Sequence, residues 1–178
     1  AIPDPTTFTW DTSSSGSIGE GFNWAPYGKP DGTNITVEFG DAISSPRVVV
    51  ADTAVTLKEL RFTHNQSYTL AGTGNLTLEA DSGDAMIDVD QGSHTLLMEV
   101  NLGSNTTVDV DNGASLEFSN QLNLNGHTLT KIGTGDATIN NQLNTGGGAL
   151  VGFGGTIAGS GLIGGDLINV SSTVAPGN

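Results

Sequence analysis

Asn120-Gln121-Leu122-Asn123-Leu124-Asn125-Gly126 comes back further along the chain as Asn141-Gln142-Leu143-Asn144-Thr145-Gly146-Gly147. The same step carries Asp88-Val89-Asp90-Gln91-Gly92 onto Asp109-Val110-Asp111-Asn112-Gly113. Gly72-Thr73-Gly74-Asn75-Leu76-Thr77-Leu78 matches Gly133-Thr134-Gly135-Asp136-Ala137-Thr138-Ile139 across close to three such steps. A fixed period of about 20 residues implies units that stack, because one unit of that length cannot bury its apolar face alone. Within each unit apolar and polar residues alternate, as in Val108–Val110, Leu116–Phe118 and Leu122–Leu124, with Gly and Asn turns between the runs. No amphipathic helix of useful length interrupts them.

The pattern predicts an all-β fold: a single-stranded parallel β-solenoid (β-helix) with coils of about 21 residues. Parallel crossovers favour right-handed winding. About six coils rising ~4.8 Å each would make a rod roughly 30 Å tall.

The two ends differ from the middle. Residues 1–50 hold five of the six prolines and six of the ten aromatics: Phe8, Trp10, Phe22, Trp24, Tyr27 and Phe39. Aromatics and turn-formers without a period predict an irregular N-terminal cap together with the first strands, with residues 51–178 forming the repeats of one continuous domain. A solenoid needs such a cap to cover its core and its first strand edge. The functional alternative for Trp10 and Trp24 is a platform for sugars. Ten glycines fall between Gly146 and Gly165, which predicts a slimmer last coil. No cap is recognisable up to Asn178, so Phe8, Trp10 and Val174 become candidates for an end-to-end contact between copies.

Composition narrows the function. Nineteen acids stand against five bases, Lys29, Arg47, Lys58, Arg61 and Lys131, for a net charge of -14. Such a chain repels phosphate backbones and anionic lipid, which excludes nucleic acid and favours divalent cations. With no cysteine there is no disulfide framework, thiolate nucleophile or Cys-based zinc site. No apolar run reaches the roughly 18 residues that span a bilayer. The opening at Ala1 without a basic and apolar leader is read as a secreted protein after removal of its signal peptide. Sequons at Asn34, Asn65, Asn75, Asn105 and Asn169 add little in a chain so rich in Asn, Ser and Thr.

Three ordered motifs carry a resemblance. Phe8-Thr9-Trp10 leads through Phe22-Asn23-Trp24 to Pro30. Leu129-Thr130-Lys131-Ile132-Gly133-Thr134-Gly135 follows. The chain ends on Gly154-Gly155-Thr156, Gly159-Ser160-Gly161, Gly164-Gly165 and Ala175-Pro176-Gly177-Asn178. The set resembles bacterial surface proteins with autotransporter-associated β-strand repeats, often sorted by a PEP-CTERM-type anchor. The resemblance implies a secreted, extracellular β-solenoid on the cell surface and supplies no catalytic residues.

Asp88, Asp90, Asp109 and Asp111 are the sharpest cluster. With Ile87, Val89, Val108 and Val110 inward, all four carboxylates face outward, Asp88 over Asp109 and Asp90 over Asp111 at ~4.8 Å. Like charges directly opposite destabilise a sheet, and calcium would relieve them. The competing readings are a solvated acidic face and a catalytic carboxylate pair. Residues 80–115 contain no aromatic, Lys or Arg, which argues against an enzyme. His64, His94 and His127 stand beside Asn, Ser, Thr or Gly and are expected in turns. Asn101, Asn123 and Asn144 keep the coil step and predict a stacked amide ladder.

These readings converge on a structural solenoid of a bacterial surface layer, extracellular filament or matrix, assembling head to tail as a homo-oligomer. The alternative is an adhesive passenger that binds surface glycans; a polysaccharide lyase or hydrolase ranks third.

Overall fold

Alternation decides which side chains go inside, and where it lapses the chain turns a corner. In strand Val55–Phe62 the residues Val55, Leu57, Leu60 and Phe62 are buried, while Lys58 and Glu59 both stay outside. The first half of this strand pairs with Asn75–Leu78 and the second half with Ala85–Val89. Leu143–Gly152 behaves alike, with its register shift between Asn144 and Ala149. Such bent strands join two faces into one twelve-stranded sheet, and a separate eight-stranded sheet supplies the third. The computed structural model, which describes residues 6–177, is thus a three-sided parallel β-solenoid of about seven turns with a spacing of ~21 residues. Among the described residues no helix is long and apolar enough to cross a membrane.

Inward columns run through every coil. On the third face Val49, Leu70, Leu96, Phe118 and Ile139 sit in register. On the second, Val37, Leu60, Ile87 and Val108 do the same. All belong to one continuous core. Burying each such side chain contributes roughly 1.5–3 kcal/mol, offset by the entropy of ordering the coil.

Coil length varies around the repeat. The steps from Leu60 to Ile87 and from Leu70 to Leu96 are both longer than the average coil. The step from Ile157 to Val174 is shorter, the slim final coil that the glycines predict. Gly159 (φ +127°) shows why: a Cβ there would collide with the Ile139 carbonyl.

The N-terminal end is closed. Trp10 pairs antiparallel with Trp24, and their rings meet edge to face at 5.0 Å. Both contact Phe39, which stacks on Phe62 at 5.4 Å. The Trp24 indole donates to the Ile18 carbonyl (2.9 Å), and the Tyr68 hydroxyl to the Gly40 carbonyl (2.8 Å). Coil stacking starts within this segment, since Thr7–Thr9 pairs in parallel with Thr36–Glu38.

The last coil of the described residues has a bare edge. Among the described residues, Ile163–Asn169 and Thr173–Pro176 are paired on one edge only. Val174, the register partner of buried Ile157, is 37% exposed. A cavity of about 70 Å³ lies here between Ile139, Ile157, Ile163 and Val174.

Candidate functional site

An outward column on the second face aligns four charged residues. Register places Glu38, Arg61, Asp88 and Asp109 in successive coils. Asp88 and Asp109 are therefore partners, as the repeat predicts. Among the described residues no three acidic or histidine side chains come together to hold a metal ion. Asp88 instead meets a cation: Arg61 Nε lies 3.4 Å from Asp88 and 3.5 Å from Glu59, and Nη1 lies 3.5 Å from Glu38. Asp90 and Asp111 enter only as charges that raise their neighbours' pKa values. Partial burial and then the charge of Asp90 push Asp88 upward against Arg61. Burial and then Asp111 do the same to Asp109 against Lys131.

Sequence reasoning missed Arg61, because the step from Arg61 to Asp88 is longer than the repeat and escapes a comparison made at its period. The premise that no base stands near these acids holds along the chain and fails in space. Arg61→Ala is expected to lower stability by about 1–2 kcal/mol in urea unfolding, since one guanidinium serves three carboxylates. Asp109→Asn should raise stability at pH 7 by a few tenths of a kcal/mol. A carboxyl whose folded pKa is raised costs stability above that pKa, and the cost fades as pH falls through it. The advantage of Asp109→Asn should therefore shrink toward pH 4; an advantage that grew there would refute the assignment.

His94 is buried in strand Ser93–Leu96, correcting the expectation of a turn residue. Its ring stacks on Phe62 at 4.2 Å. Nδ1 accepts from the Tyr68 N–H (3.1 Å), so Nε2 carries the proton donated to the Gln91 carbonyl (2.8 Å). Protonation at Nδ1 would set N–H against N–H and bury a charge. Burial accordingly holds its pKa below the usual histidine value. Stability from a neutral buried His is full above the unfolded pKa of about 6.5 and is lost below it, by at most about 1.36 kcal/mol per pH unit. Thermal melts of the native chain should fall between pH 6.5 and 5. The same drop persisting in His94→Gln would assign the effect elsewhere.

The amide ladder is formed. Asn144 Nδ2 donates to Asn123 Oδ1 (3.0 Å), and Asn123 Nδ2 to Asn101 Oδ1 (2.9 Å). Gln121 and Gln142 brace Asn123 and Asn144 at 2.9 and 2.7 Å. Lys131 departs from the surface role usual for lysine. It points inward at 1% exposure, and its ammonium donates to the carbonyls of Gly133 (2.9 Å), Gly135 (2.7 Å) and Gly154 (3.1 Å).

The end-to-end candidates divide. Phe8 and Trp10 are buried in the cap, at 6% and 1% exposure, and offer no side-chain surface to a neighbour. Val174 stands in the bare-edged last coil. Trp24 is buried too, so neither tryptophan can stack on a sugar. The exposed aromatics of the cap are Phe22 and Tyr27. Comparison with family models, curated proteins and solved structures finds no match to the chain.

Proposed function

We propose that the chain is a structural β-solenoid module of a bacterial extracellular layer, filament or matrix, as the resemblance to autotransporter-associated repeats implies. The supporting observation is an asymmetry among the described residues: Trp10, Trp24 and Phe39 plug the first coils, while Ile163–Asn169 and Thr173–Pro176 are paired on one edge only. Edges of this kind recruit further strands. Phe8 and Trp10 are buried within the cap, so a contact between copies would draw on other residues. Two copies of this chain can meet through the bare edges of Ile163–Asn169 and Thr173–Pro176 across a two-fold axis, which closes after one contact.

Electron microscopy of the purified chain tests this. Rods of double length are expected in calcium and in EDTA alike, since the contact is apolar. Val174→Asp should return them to single rods. Single rods of the native chain at every concentration would sink the assembly role.

A further inference from the structure

We infer that the N-terminal cap carries a binding site for a neutral carbohydrate. A shallow, open depression of about 430 Å³ lies on its surface. Phe8 and Ile35, both buried core residues, form an apolar floor. Tyr27, Lys29, Asp31 and Asn34 form the rim. Gly28 (φ +154°) passes so close to Phe8 that an added Cβ would lie 3.0 Å from the ring, so the backbone itself shapes one wall.

Closure of the cap does not require Tyr27. Trp10, Trp24 and Phe39 plug the solenoid, whereas Tyr27 is 78% exposed beside the depression. An exposed aromatic ring beside polar groups can stack on the C–H face of a pyranose, which is apolar on one side and ringed by hydroxyls. The polar partners are held in place. Asp31 accepts the Thr56 N–H on Oδ1 (2.8 Å) and Lys29 Nζ on Oδ2 (3.2 Å). An ammonium carries three donors and a carboxylate about four acceptor sites, so both retain capacity for hydroxyls. The Asn34 amide adds a donor and an acceptor.

Charge selects against the alternatives. Lys29 is neutralised by Asp31, and the chain bears a net charge of -14, so uronates and phosphorylated sugars are repelled. The rim is too polar for a purely apolar ligand. A neutral oligosaccharide satisfies the floor, the ring and the polar rim together. The site lies at the closed end of the rod and does not depend on what the bare edge of the last coil joins.

Saturation-transfer NMR with chitotriose and cellotriose as neutral probes, and trigalacturonate as an anionic one, tests the inference. Transfer to at least one neutral trisaccharide is expected, with millimolar affinity. Tyr27→Ala should weaken it about tenfold while Tyr27→Phe retains it, because the ring rather than the hydroxyl supplies the stacking. Asp31→Asn should weaken it too, and its amide oxygen can still accept the Thr56 N–H. Since Tyr27 is exposed, the melting temperature of Tyr27→Ala should match the native chain. No transfer from either neutral probe, transfer unchanged in Tyr27→Ala, or preference for trigalacturonate would each overturn the assignment.

Discussion

Lys131→Ala is expected to remove about 3–5 kcal/mol of folding free energy, measured by urea unfolding at neutral pH. Leu129-Thr130-Lys131 alternates like any strand of the solenoid, and Lys131 occupies an inward place, in register with Val108. It lines a small apolar cavity together with Val108, Leu129, Ala137 and Ile157. Its three ammonium protons match three glycine carbonyls, two in the turn just after the strand and one in the coil below. The lysine thus ties one corner of the solenoid to the next. Burial pulls its pKa below the ordinary ammonium value, while Asp109 and Asp136 pull it back. Alanine would leave a cavity and three acceptors without their donor. Lys131→Met separates the two effects. It restores much of the volume and none of the donors, so a loss of about 2–3 kcal/mol should remain. A loss below about 0.5 kcal/mol in Lys131→Met would mean that the carbonyls find other donors.

Lys131 also shows where the sequence stops being legible. Period and alternation identify the solenoid, because both follow from how so short a unit must stack. They place Asp88 beside Asp109 and align Asn101, Asn123 and Asn144, since these residues keep the regular coil step. They fail for Arg61, whose coil is longer. They also fail where residue type and strand phase conflict. Lys131 and His94 are polar residues in inward phase, and type argues for the surface while phase argues for the core. Phase prevails because each finds backbone partners inside: glycine carbonyls for the ammonium, the Tyr68 N–H and Gln91 carbonyl for the imidazole. The telling signal is the phase itself, with Lys131 two places after Leu129. Trp10 and Trp24 pose the reverse problem. Composition marks them as cap residues, yet only their antiparallel pairing shows that both rings point inward and leave Tyr27 as the exposed aromatic beside the depression.

Phe39→Ala should cost about 3–5 kcal/mol, concentrated in the cap. Phe39 is wholly buried at the point where the plug meets the first full coils, touching Trp10 and Trp24 on one side and Phe62 and Tyr68 on the other. Without its ring the tryptophans lose their seat, while the coils beyond Val55 keep their own inward columns. Limited proteolysis should therefore cut first within residues 11–31, leaving the remainder of the rod resistant. The assembly consequence is sharper. In the proposed pairing the plugged chain offers one bare edge, so assembly of this chain stops at two copies. A rod with a loosened plug also presents the edges of Gly32–Phe39 and Arg47–Val50, and bare edges on both sides permit an unclosed chain. Filaments longer than two rods should then form in Phe39→Ala and vanish in the double variant with Val174→Asp. If Phe39→Ala lost stability but remained paired at most, the plug would be a stabilising element that plays no part in limiting assembly.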